Sequence, residues 1–248
     1  MFTNPPNAIK GRGAAENPPN RFRPLARIPL DDYDPSQDPA PRTQFFHDAA
    51  RDILATNNSP DIPFTYSLNP YRGCEHGCTY CFARPTHEYL GFSAGLDFET
   101  KIVVKEDAPE LLRKTFLSPK WQPQSVGIGT ATDAYQPVER RLKITRRCLE
   151  VFAEFRNPVG VVTKSSLITR DADLLGELAQ HNAAVAFVSV TTLDADLPQD
   201  GAAGRDAGRP VARRRGTAQG GRAGRGDGRA GRAGFDGPRG TGDPARCR

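Results

Sequence analysis

SVGIGT at residues 125–130, VGVVT at 159–163 and AAVAFVSV at 183–190 are the runs that decide the fold. Each is short, apolar and rich in Val, the pattern of a parallel strand buried on both faces. Helical patterns fill the gaps between them. In residues 139–155, Leu142, Leu149, Phe152 and Phe155 recur on one side of a helix. In residues 171–181, Leu174, Leu175 and Leu178 do the same. Upstream, Asp107 and Glu110 form a D-x-x-E capping pattern ahead of Leu111, Leu112 and Phe116. Strand–helix alternation of this kind predicts an α/β fold with a parallel sheet. A strand at residues 65–68 brings the count to four core strands, and residues 98–104 offer one more.

Outside this region the composition changes. Residues 1–60 are rich in Pro, Asn and Asp and read as an extended arm, with one short helix expected at residues 45–54. Residues 61–197 read as the globular core. Residues 198–248 contain 14 Gly and 12 Arg, with Val211 and Phe235 as their large apolar residues. Such a segment buries too little surface to offset its ordering entropy, so disorder is expected. Its composition fits a Gly/Arg-rich RNA-binding tail, or an out-of-frame reading of a GC-rich gene. The second reading is preferred.

Charge follows the same division. The 248 residues carry 34 Lys and Arg against 29 Asp and Glu, a net of +5. Residues 198–248 hold 12 Arg and 5 Asp, so the rest of the chain is net −2. The basic total is therefore no nucleic-acid footprint on the core. No apolar run is long enough to span a bilayer. The first 13 residues show no secretory signal, so a cytoplasmic chain is expected. Five cysteines are too few for a disulfide scaffold, and three of them fall within eight positions.

Those three lie in Asn69-Pro70-Tyr71-Arg72-Gly73-Cys74-Glu75-His76-Gly77-Cys78-Thr79-Tyr80-Cys81-Phe82, a C-x3-C-x2-C spacing. Three thiolates on one loop can bind three irons of a [4Fe–4S] cluster and leave the fourth for an external ligand. Tyr80, just before the last cysteine, can pack against a planar cofactor. A structural zinc site with His76 or His87 as fourth ligand is the competing use, and a Cys78–Cys81 dithiol another. Cys148, on a predicted helix, reads as a small buried hydrophobe. Asp133 and Asp194 read equally as helix caps or as site residues. Arg140, Arg141, Lys143, Arg146 and Arg147 read as a solvated helix face.

The motif at the end of a first strand, followed by α/β units, resembles the radical S-adenosylmethionine (SAM) superfamily. The wider string resembles its spore photoproduct lyase-like bacterial branch. The resemblance runs through Gly11-Arg12-Gly13 with Asn17-Pro18, Asp61-Ile62-Pro63-Phe64, Cys81-Phe82-Ala83-Arg84-Pro85-Thr86-His87 and Gly95-Leu96-Asp97-Phe98-Glu99. It continues in Gly129-Thr130-Ala131-Thr132-Asp133, Val162-Thr163-Lys164-Ser165 and Ser189-Val190-Thr191-Thr192-Leu193-Asp194. It covers roughly residues 10–197.

The resemblance implies a partial (β/α)6 barrel with its first four strands present. It implies a [4Fe–4S] cluster on Cys74, Cys78 and Cys81, and SAM on the open iron. Reductive cleavage of SAM would then give a 5′-deoxyadenosyl radical, with the electron from a flavodoxin- or ferredoxin-type donor. Cofactor contacts carry over to Thr132, Lys164 and Ser189, beside Tyr80. The chain departs from the branch at Thr130-Ala131-Thr132, where the photoproduct enzyme carries a hydrogen-donating cysteine. Photoproduct repair is therefore not carried over, and no substrate or catalytic residue is assigned. The resemblance stops near Leu197, and two alternatives stand beside the enzyme. One is a zinc-binding structural or nucleic-acid-binding module; the other is an inactive truncated product.

Overall fold

A computed structural model of the chain describes residues 11–23 and 41–191. The expectations for residues 192–248, Asp194 among them, lie outside that range.

The larger sheet has five strands: β2 (Leu54–Thr56), β3 (Tyr66–Leu68), β6 (Val126–Ile128), β7 (Val159–Thr163) and β8 (Ala184–Val188), in that order. The last four are parallel, and β2 joins β3 antiparallel. The register sets Leu68 beside Ile128 and Ile128 beside Val161. All three side chains are fully buried. The four expected core strands are thus present in one parallel set. Residue 127 must be small there, because a Cβ on Gly127 would stand 2.8 Å from the Phe64 ring.

A second sheet has the order β1 (Gln44–His47), β5 (Lys101–Val104), β4 (Tyr71–Arg72). β1 runs parallel to β5 and β4 antiparallel to it. This corrects the helix expected at residues 45–54. The stretch supplies β1 and β2 instead, one to each sheet, because Phe45 and Phe46 find partners in Ile102 and Val103 far along the chain. The expected strand at residues 98–104 is also shorter. It opens as a helical turn, α1 (Leu96–Thr100), and becomes extended only at Lys101. The architecture is mixed α/β, with two sheets and no closed barrel among the described residues.

Helices cover the larger sheet. α2 (Ala108–Phe116) and α4 (Ile144–Phe155) pack together, and α4 also meets α5 (Ala172–Gln180). Leu112, Leu149 and Phe152 are 0 % exposed. Each such side chain contributes roughly 2 kcal/mol by burial. Phe116 stacks its edge on Phe152 at 5.3 Å. Asp107 precedes α2 but makes no side-chain capping bond, so the capping box is not formed. The single helix expected at residues 139–155 is two. α3 (Glu139–Leu142) ends where Lys143 adopts φ 54°, and α4 begins beyond it.

Two further expectations change. The run at 183–190 reads as a buried strand, yet β8 is a sheet edge with Phe187 56 % exposed. Among the described residues it pairs with β7 alone. On α4, Arg146 does not belong to a solvated face: its guanidinium bonds Asp171 at 3.0 Å and Asp173 at 2.8 Å. Cys148 is fully buried in the core, as a small hydrophobe would be. No helix among the described residues is long and apolar enough to cross a membrane.

Candidate functional site

Because β3, β6, β7 and β8 are parallel, their C-terminal ends open on one side. The segments that leave those ends carry the residues in question. After β3 comes the cysteine loop, after β6 residues 129–133, after β7 Lys164, and after β8 Ser189. These segments enclose one cavity of about 200 Å³. Cys74, Cys78 and Cys81 line it, and so do Tyr80, Thr132, Lys164 and Ser189. The three cysteines and the four cofactor contacts expected from the sequence therefore meet at one place.

The cysteine loop is built by tight turns. The Gly77 amide donates to the Cys74 carbonyl (3.2 Å), and the Cys81 amide to the Cys78 carbonyl (3.3 Å). Gly77 has φ +62°, a conformation that side chains disfavour. The loop is also clamped to the segment after β6. The Thr132 hydroxyl donates to the Gly73 carbonyl at 2.6 Å. Gln136 accepts from the Glu75 amide at 2.9 Å, while the Glu75 carboxylate accepts from the Val138 amide at 2.8 Å. Thr132 lines the cavity, but its hydroxyl proton is committed to the cysteine loop. Asn69 secures the same segment from the end of β3, accepting from the Ala131 amide at 2.9 Å.

Asp133 ties the β6 and β7 ends together. Its carboxylate accepts from Thr163 Oγ1 (2.6 Å), the Tyr135 amide (2.8 Å) and the Lys164 amide (3.0 Å). His76 Nε2 lies 3.5 Å from the same carboxylate. Asp133 is buried, so these bonds offset the cost of taking a charge out of water. It thus holds the end of β7 beside the cysteine loop, and it lines the cavity itself.

Lys164 crosses the cavity. Nζ donates to Cys78 Sγ at 2.6 Å and to the Tyr80 hydroxyl at 3.1 Å. It also stands 5.1 Å from the centre of the Tyr80 ring. Burial pulls the Lys164 pKa down, but the bonds with Cys78 and Tyr80 outweigh it and raise it above the ordinary lysine value. The ammonium is therefore kept as a fixed positive charge beside sulfur. The Cys74 thiol is pushed up, first by burial and then by the charge of Asp133. Tyr80 and Phe82 are 64 % and 82 % exposed and stand at the cavity.

The donor set bears on which metal group fits. Among the described residues, no three His, Cys, Asp or Glu side chains converge as they would around a single ion. The three thiols instead surround a cavity. His76 faces Asp133, and His87 packs between Phe92 and Phe98, at 5.2 and 5.6 Å. Neither histidine lines the cavity. Three cysteine sulfurs lining one cavity form a donor set that can hold three irons of a cluster or three positions of a zinc ion.

No protein-family model matches the chain, and no solved structure matches it. Curated relatives do. The chain is 41 % identical over 143 residues to the uncharacterized protein Rv2578c of Mycobacterium tuberculosis, covering 58 % of this chain and 42 % of that protein. It is 32 % identical over 109 residues to the uncharacterized protein MJ0683 of Methanocaldococcus jannaschii, covering 44 % and 39 %. The chain thus spans about two fifths of the length of these relatives.

Proposed function

We propose that this chain carries the core of a radical SAM enzyme of the spore photoproduct lyase-like kind, with β3, β6, β7 and β8 as the first four strands of a (β/α)6 barrel. The observation that carries the reading is the cavity. Three cysteines in C-x3-C-x2-C spacing share it with Tyr80, Lys164 and Ser189, drawn from the ends of three parallel strands. Functional groups of β/α barrels gather at that end.

On this reading Cys74, Cys78 and Cys81 would hold a [4Fe–4S] cluster, with SAM on its open iron. When bound, that pair supplies one-electron reductive cleavage of the sulfonium and so the means to abstract hydrogen from a substrate. The chain's own residues do the positioning. Lys164 keeps a positive charge beside Cys78, suited to a carboxylate or a ribose oxygen. Asp133 fixes the Lys164 backbone. Thr132 and Gln136 hold the Gly73 carbonyl, and with it the start of the cysteine loop. The Tyr80 ring stands beside the Lys164 ammonium, where a planar group can lie against it. Ser189 is exposed at the rim of the cavity and supplies a hydroxyl there. An electron from a flavodoxin- or ferredoxin-type donor belongs to the same reading.

Metal analysis after anaerobic reconstitution with iron and sulfide tests this assignment. About four irons with matching sulfide per chain support it. One zinc and no sulfide would sink it and return the zinc-binding module.

A further inference from the structure

The cysteine loop does not rest on its own turns alone. Residues 11–16, distant in sequence, lie against it, and Glu99 stands between the two. Its side chain is 0 % exposed. Oε2 accepts from the Gly13 amide at 3.0 Å, and Oε1 from the Ala14 amide at 2.8 Å. Oε1 also accepts from the Arg84 guanidinium at 2.6 Å. Arg84 in turn donates through Nε to the Cys78 carbonyl at 2.9 Å. Arg12 closes the arrangement, donating to the Glu99 carbonyl (3.1 Å), the Pro41 carbonyl (3.0 Å) and Thr43 Oγ1 (3.2 Å).

Two glycines make room for this contact. A Cβ on Gly77 would stand 2.5 Å from Glu99 Oε2, and one on Gly13 would stand 1.7 Å from the Gly77 carbonyl oxygen. The second distance involves backbone on both sides, so no side chain can move aside to relieve it. A buried carboxylate that loses two amide donors is left with unmet demand, and whatever it braces loosens.

We infer that residues 12–14 form a strap that positions the cysteine loop, with Glu99 as the positioning residue joining strap, Arg84 and loop. What the loop holds rests on the cluster reading above; the strap contact does not.

The test uses the full chain, reduced and metal-free. Iodoacetamide labelling is followed at each cysteine by peptide-resolved mass spectrometry in the wild type, Gly13→Ala and Arg12→Ala. The strap predicts labelling of Cys78 and Cys81 about tenfold faster in Gly13→Ala, as expected for a local opening. A smaller increase is expected in Arg12→Ala. Cys148, buried in the main core, serves as the internal reference and keeps its rate. Wild-type rates at Cys78 and Cys81 in both variants would overturn the strap. So would a rise at Cys148 in step with them, because that reports general loosening. Iron uptake is measured on the same samples, and the strap predicts less iron retained by Gly13→Ala. A wild type that takes up no iron defeats the cluster reading, while the labelling still decides the strap.

Discussion

Lys164 Nζ sits 2.6 Å from Cys78 Sγ, joining the end of one central strand to the middle cysteine of a loop that leaves another. The two are 86 residues apart in sequence. The contact gives the cavity a charged wall that neither motif displays alone.

Replacing Lys164 with Met keeps much of its length and removes that charge. SAM affinity should fall roughly ten- to hundredfold, the scale of one charge-assisted hydrogen bond. Iron content should stay at the wild-type level, because the cysteines are untouched. Equilibrium binding and iron analysis on one preparation separate the two effects. Loss of iron in step with SAM would place Lys164 in cluster retention instead.

Asp133 accepts three hydrogen bonds while buried, so Asp133→Ala leaves the Thr163 hydroxyl and the Tyr135 and Lys164 amides without their acceptor. Destabilisation of about 2–4 kcal/mol is expected. Asp133→Asn keeps the shape but turns an amide NH2 toward donors, so it should recover only part of the loss. Chemical denaturation of the three proteins checks the order. An asparagine variant as stable as the wild type would contradict it.

Burial holds the His87 pKa down at about 4, against an ordinary value of 6.5. The folded chain therefore resists a proton that the unfolded chain accepts. The stability tied to neutral His87 is complete above pH 6.5 and is lost as pH falls toward about 4. His87→Leu should flatten that part of the pH dependence, measured by melting temperature across the same range. Parallel curves for the two proteins would contradict the assignment.

Cys148→Ala separates core sulfur from site sulfur. It should cost ~1 kcal/mol of stability by loss of packing. Iron uptake and SAM binding should be unchanged. A loss of iron would show that Cys148 reaches the metal group, against its place in the main core.

The parallel strands were legible because short Val-rich runs favour strands, and Val126, Ile128 and Val161 are fully buried, whereas the run at 183–190 forms an exposed sheet edge. β1 was not, since Phe45 and Phe46 become strand only by pairing with Ile102 and Val103. That is a tertiary effect with no local signal. The break at Lys143 is similar: a non-glycine residue at φ 54° is held by its surroundings. The cysteines were legible from spacing, Tyr80 from its place before the last of them, and Thr132, Lys164 and Ser189 from a resemblance aligned to strand ends. Glu99 and Asp133 were not identified as supports. Lone carboxylates carry no spacing signal, and their role depends on backbone amides that distant segments bring to them.

The most direct test of the central claim is SAM cleavage by the anaerobically reconstituted chain under a strong one-electron reductant, with Cys78→Ala beside it. The wild type should yield 5′-deoxyadenosine and the variant none above background. A wild type that holds its cluster yet yields no 5′-deoxyadenosine, or a variant that yields as much as the wild type, would contradict it.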